Sequence, residues 1–253
     1  MFEQVKVDPR TADLLYTDPS DVTELMAGII SSEPDMGEFE TIKDDTSSML
    51  HGDTLCLISY LASIIEGSIL EIGAYTGGAT ISAVKGLLKN EQNKSSIYSI
   101  EAGKYDGGKW EKPLNRGYMM TYEKVFNALT FNIVAYANGV SHKNPEKITD
   151  RIKAIEGLSN NLYVIDEITS EVIDDPMGLL IIDADGNVQR DLDIYFRYLR
   201  KGGYIVVDDY VIETDGYGKE EGSQEAVHRL VNSGQAISLG VYKWGTWFGQ
   251  KII

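Results

Sequence analysis

Five short apolar runs, at residues 69–73, 97–101, 133–137, 179–183 and 204–208, constrain this chain more than any other feature. Each is dense in Ile, Val, Leu or Tyr, the texture of strands buried on both faces. Between them lie amphipathic stretches at 80–90, 119–129, 145–156 and 188–200 that read as helices. An alternation of this kind predicts a parallel sheet wound by right-handed crossovers. A further helix is expected at 224–232, followed by runs at 236–242 and 246–253 that flank Lys243, Trp244 and Gly245 as a terminal hairpin. Residues 1–66 look mostly helical, so the chain divides into an N-terminal helical extension or lid (1–66) and an α/β domain (67–253).

Four of the five runs carry a carboxylate within or at the end of the run: Glu71, Glu101, Asp183 and Asp208. In open α/β sheets the ligand crevice lies beyond the carboxyl ends of the strands. Anions are costly to cluster there unless hydrogen-bond donors or a positive charge stand among them. Between the first run and its helix the chain reads E-x-G-x-x-x-G-G, with Glu71, Gly73, Gly77 and Gly78 in those places and Tyr75 within the loop. Glycines let a backbone turn sharply close to a ligand, and the following helix start offers unpaired N–H groups. Nicotinamide enzymes want G-x-G-x-x-G, which Tyr75 breaks.

A second constellation closes the domain. Asp183 and Asp185 flank Ala184 after the fourth run, and Asp208 and Asp209 end the fifth. Carboxylates meeting at neighbouring strand ends repel unless a cation joins them, and oxygen-only ligation suits a hard ion such as Mg²⁺. On a regular strand Asp208 and Asp209 would point to opposite faces, so both can face one ion only if the chain bends there.

The glycine loop with Glu101 at the next strand end resembles class I S-adenosylmethionine-dependent methyltransferases. From Ser68 onward the chain resembles the metal-dependent macrocin/aminocoumarin sugar O-methyltransferase group, with Asp-x-Asp followed by Gly202-Gly203, a strand and Asp208-Asp209-Tyr210. The resemblance implies a Rossmann-like, doubly wound and mostly parallel seven-stranded sheet with a C-terminal antiparallel hairpin. It implies donor contacts from Glu71, Gly73, Tyr75, Gly77, Gly78, Glu101 and Asp183. Metal ligation would fall to Asp183, Asp208 and Asp209, and general-base duty to Asp185. Asn138, at the exit of the 133–137 run, is the candidate for adenine. Catechol-type relatives often carry Lys soon after Asp-x-Asp, whereas this chain has Gly186 and Asn187.

Charge narrows the acceptor. Lys and Arg number 23 against 39 Asp and Glu, a net −16, which repels nucleic-acid backbones. Apolar runs are too short to cross a membrane, and one cysteine, Cys56, excludes an internal disulfide, so the cytoplasm is the expected compartment. The expected partner is a small-molecule acceptor, with self-association left open. The leading expectation is transfer of a methyl group from S-adenosylmethionine to a hydroxyl of a sugar, phenol or other natural product, assisted by Mg²⁺. The alternatives are a metal-independent methyltransferase acting on O, N or C, and a non-catalytic protein that keeps the fold. Among the remaining residues, Cys56 is expected to serve packing, Trp244 and Trp247 to sit in the core or an interface, and His228 to be an ordinary surface histidine.

Overall fold

The computed structural model describes residues 28, 31, 36–90, 92–102, 110–113, 119–122, 125–140, 146–184, 186–210, 219–242 and 245–253. In chain order the described elements are α1 (Met36–Thr46), α2 (Gly52–Ile64), β1 (Ile69–Ile72), α3 (Gly78–Lys89), β2 (Ile97–Glu101), β3 (Trp110–Pro113), β4 (Met119–Tyr122), α4 (Val125–Val140), α5 (Glu146–Thr149) and β5 (Ile152–Glu156). There follow α6 (Leu162–Val172), β6 (Met177–Ile182), α7 (Val188–Tyr195), a 3₁₀ turn (Phe196–Tyr198), β7 (Leu199–Val207), α8 (Lys219–Asn232), β8 (Ala236–Tyr242) and β9 (Thr246–Lys251).

Seven strands form one sheet in the order β5-β2-β1-β6-β7-β9-β8, and β3 pairs with β4 in a separate antiparallel ribbon. The first five strands of the sheet run parallel, while β9 is antiparallel to both β7 and β8. This is the doubly wound, mostly parallel seven-stranded sheet with a terminal hairpin that the sequence implies. No helix among the described residues is long and apolar enough to cross a membrane.

The central strands are apolar throughout because both faces are covered. Ile69, Ile97, Leu179, Ile181 and Val206 pack into one core with α1, α2 and α3. Leu70, Ile72, Ile100, Leu180, Ile182, Ile205 and Val207 pack into the other with α6, α7 and α8. Alternation along each strand assigns residues to these two cores. Cys56 is buried in the first and Trp247 in the second; Trp244 lies outside the described residues.

The third parallel strand is not where the apolar pattern predicts it. Residues 133–137 lie inside helix α4, and the strand is β5. Helix α4 buries Val125, Ala128, Leu129, Asn132, Ile133 and Ala137, a helical stripe. Its outer face also carries Phe131 and Val134, both about half exposed, so the local run is as apolar as a buried strand. Strand β5 has the opposite disguise. Among the described residues it pairs only with β2, and its partly solvated sequence, with Lys153 reaching Glu167 and Glu171, reads like an amphipathic helix. The helix expected over 145–156 shrinks to α5, the one expected over 119–129 starts at Val125 after strand β4, and α6 has no counterpart in the sequence reading.

Candidate functional site

Strand register builds the site. Ile72 pairs with Ile100 on one side and Ile182 on the other, and Ile182 pairs with Val207. The next residue along each strand is therefore Glu101, Gly73, Asp183 and Asp208, a row at one level on the rim of the sheet. Backbone bonds continue one step past the strands to hold that row, from Gly73 N–H to Ile100 O (3.0 Å), Asp183 N–H to Ile72 O (2.9 Å) and Asp208 N–H to Ile182 O (3.1 Å).

On the β1–β2 side, the loop leaves the sheet at Gly73 with φ +89. A Cβ there would lie 1.8 Å from the Asp183 carbonyl oxygen, so only glycine lets the loop pass the exit of β6. Tyr75 also has positive φ, and its N–H donates to Glu101 Oε2 at 2.7 Å. Gly77, in the left-handed region, precedes α3 without any side-chain cap, leaving the helix start to backbone donors. Thr76 Oγ1 is buried and has no hydrogen-bond partner among the described residues. The loop thus presents an unused hydroxyl and a helix N-terminus beside an accepting carboxylate, a set that fits a ligand with an amino-acid end and a ribose.

Glu71, expected to touch the donor, spends its carboxylate on neighbouring hydroxyls instead. It shares the strand face of Ile69, and its register partner is Ser99. The buried carboxylate accepts from Thr80 Oγ1 at 2.5 Å and Ser99 Oγ at 3.0 Å, with Thr80 and Ser99 themselves 2.9 Å apart. Burial pushes the Glu71 carboxyl up to about 7, against the pull of these hydroxyls. Glu71 therefore ties strand β1 to the first turn of α3 and to β2.

On the β6–β7 side, Asp183 and Asp208 follow the register partners Ile182 and Val207, and Asp209 comes next in the chain. Burial and then the charges of Asp208 and Asp209 hold the Asp183 carboxyl well above the usual carboxylate range. Burial also raises Asp208, while a 2.6 Å hydrogen bond from Thr246 Oγ1 opposes the rise. Thr246 Oγ1 in turn lies 2.9 Å from Thr54 Oγ1 on α2. Asp209 has φ +53, and this left-handed residue supplies the bend that the sequence requires of the Asp208-Asp209 pair. Its Oδ2 lies 3.2 Å from Lys219 Nζ, which also donates to the Ala184 carbonyl at 2.8 Å.

The metal expectation is not met by this arrangement. Among the described residues no group of three or more His, Cys, Asp or Glu side chains is disposed to hold a metal ion. Thr246 engages Asp208, and Lys219 stands against Asp209. Asp185, the expected base, lies outside the described residues. Asn138 is an exposed residue near the end of α4 rather than at a strand exit, which removes the reason for placing it at adenine; the exit of the third strand is Gly157, whose N–H bonds Glu101 O at 2.9 Å. Tyr210 is fully buried, and its hydroxyl lies 3.1 Å from His228 Nε2, giving that half-buried histidine a structural partner. Sequence reasoning missed Thr80, Ser99, Thr246 and Lys219. Ser99 could have been suspected from strand register, whereas Thr80, on α3, and the last two carry no such signal.

The sheet order and the glycine loop at its rim define a class I methyltransferase fold. The chain belongs to the methyltransferase domain family, whose model matches residues 70–210, more than half of it. It is 26% identical over 163 residues to the uncharacterized protein R132 of Acanthamoeba polyphaga mimivirus, covering 62% of this chain and 69% of that one. Among solved structures it resembles the O-methyltransferase TomG of Streptomyces achromogenes, involved in tomaymycin synthesis and seen with S-adenosylmethionine, at 14% identity over 100% of both chains (TM-score 0.53). It also resembles a Bacillus cereus O-methyltransferase in complex with S-adenosylhomocysteine, at 16% identity over 96% of this chain and 95% of that one (TM-score 0.51). At such identities the likeness speaks for the fold.

Proposed function

We propose that the protein transfers a methyl group from S-adenosylmethionine to a hydroxyl oxygen of a small molecule. The observation that carries this reading is the row at the sheet rim. Glu101 lies over the Gly73–Gly78 loop on one side, and the Asp183/Asp208/Asp209 cluster adjoins the same loop on the other. The donor supplies a methyl group already activated on a sulfonium, so the protein's part is positioning and deprotonation.

In this reading Gly73, Tyr75, Gly77 and Gly78 receive the amino-acid end of the donor, and Glu101 receives the ribose hydroxyls. Glu71 keeps the loop in place through Thr80 and Ser99. Asp183 lies between donor and acceptor, and Asp185 takes the hydroxyl proton. Helix α2 adjoins the acceptor side, since Thr54 touches Thr246. The net charge of −16 favours a small acceptor over a nucleic acid and is compatible with work in the cytoplasm.

A second reading, with Mg²⁺ held by Asp183, Asp208 and Asp209, draws on the mutual proximity of these acids. It would require Lys219 to leave Asp209. Calorimetry tests the donor assignment. Saturable heat with S-adenosylmethionine is expected, and Glu101→Ala should weaken it by roughly 10- to 100-fold, the worth of one or two hydrogen bonds to a charged group. No heat with the wild type, or equal affinity in the variant, would sink the assignment.

A further inference from the structure

The acidic rim already contains a cation, and it comes from a part of the chain no motif marks. Lys219 is the first residue of α8, 10 positions beyond Asp209 in sequence. Two glycines bring it in. Gly186 has φ +81, and a Cβ there would come within 3.0 Å of Lys219 Cβ and Cγ. On the next turn of α8, a Cβ on Gly222 would lie 2.8 Å from the Gly186 carbonyl oxygen. The start of α8 is therefore seated directly on the segment that follows Asp183, and the lysine stem runs across Gly186.

From there the ammonium reaches Ala184 O at 2.8 Å and Asp209 Oδ2 at 3.2 Å. Its charge also acts on Asp183 and Asp208, so it serves all three acids. An ammonium has three donors, and these two partners use two of them among the described residues. With the side chain 38% exposed among the described residues, there is room for a third bond to an incoming oxygen.

We propose that Lys219 is the resident cation of the acidic rim, taking the place a divalent metal would need and orienting the acceptor oxygen in a metal-independent methyl transfer. This rests on the methyl-transfer reading above and replaces its Mg²⁺ variant. Two cations cannot share the cluster cheaply: a divalent ion within a few ångströms of an ammonium is repelled unless the lysine swings away. Lys219 is a positioning residue here, and the bond-making is otherwise unchanged. The oxygen–methyl bond forms as the sulfur–methyl bond breaks, S-adenosylhomocysteine leaves, and the hydroxyl proton passes to a carboxylate.

The test is gain of metal binding, which a merely structural lysine would not produce. Full-length, EDTA-treated wild type, Lys219→Met and Lys219→Arg are titrated with Mn²⁺, with free ion read by electron paramagnetic resonance. Calorimetry with S-adenosylhomocysteine on the same samples reports whether the donor site is intact. Wild type and Lys219→Arg are expected to show no saturable Mn²⁺ site up to the highest concentration reached, while Lys219→Met saturates with a dissociation constant roughly tenfold or more below that concentration once the competing charge is gone. Saturable Mn²⁺ binding by the wild type overturns the proposal, and so does a Lys219→Met protein that binds Mn²⁺ no better. Should Lys219→Met lose S-adenosylhomocysteine binding, Lys219→Gln takes its place in the comparison. A wild type that fails to bind S-adenosylhomocysteine counts against the methyl-transfer reading, whereas the Mn²⁺ comparison judges the lysine alone.

Discussion

The two halves of the sheet rim solve the same problem by different means. Beside β1 and β2, the buried Glu71 is satisfied by neutral donors, two hydroxyls from Thr80 and Ser99 and the Thr80 backbone. Beside β6 and β7, three aspartates crowd together, and the hydroxyl of Thr246 is joined by the ammonium of Lys219. A single buried carboxylate can be held by hydrogen bonds, at the cost of a raised pKa. Three cannot, because each added charge raises the cost of the others, and a positive charge must enter. The difference separates a lone carboxylate that holds the glycine loop in shape from a cluster of acids that needs a positive charge.

The largest effect that would sharpen this comparison concerns pH. The Glu71 carboxyl is raised from 4.5 to about 7 in the folded protein. Between those values the native state keeps a proton that the unfolded state has released. The stabilisation is full below the unfolded value and is lost as pH rises through about 7. Burial moves Asp183 and Asp208 in the same direction, so the Glu71 part must be read by difference. Denaturant unfolding across this range should show a decline in wild-type stability that is about 3 kcal/mol smaller in Glu71→Gln. Parallel pH profiles in the two proteins would refute the buried, hydroxyl-held carboxylate.

A smaller effect is expected from the donor-side hydroxyl itself. Thr80→Val removes a hydrogen bond to a buried carboxylate while keeping the shape, and should cost about 1–3 kcal/mol of stability by chemical denaturation. An unchanged midpoint would mean that Ser99 and the backbone suffice.

The smallest lies on the other half. Thr246→Val takes a donor from Asp208 and a contact from Thr54, yet Asp208 keeps the backbone N–H of Asp209. A loss of about 1 kcal/mol is expected. A loss larger than that of Thr80→Val would reverse the proposed contrast, making the acidic half the one that depends on hydroxyls.

Much of the fold could be read because its central strands are buried on both sides. The runs at 69–73, 97–101, 179–183 and 204–208 became β1, β2, β6 and the end of β7, since nothing but a covered parallel strand needs so many apolar residues in succession. The same logic failed at the sheet's edge. Strand β5 is partly solvated and looked helical, while α4 has apolar residues on its outer face and looked like a strand. Periodicity reports burial, and burial was unusual at both places. The site was legible as far as its main-chain scaffold: the glycine loop, Glu101 and the aspartates sit where an open α/β sheet puts its ligand crevice.

By itself the sequence determined the four parallel strands β1, β2, β6 and β7, the glycine that lets the loop pass β6, and the acids at the strand ends. Those are local consequences of apolar spacing and of which residue tolerates a positive φ. Only the tertiary structure decided that Glu71 turns inward beneath Thr80, that Thr246 caps Asp208, and that Lys219 meets Asp209. Each of these depends on register between strands or on a helix seated on a glycine, relations between segments far apart in the chain that no local pattern encodes. Charge made the difference visible: a cluster of acids in sequence asks for a cation, and only the folded chain shows that a lysine can answer.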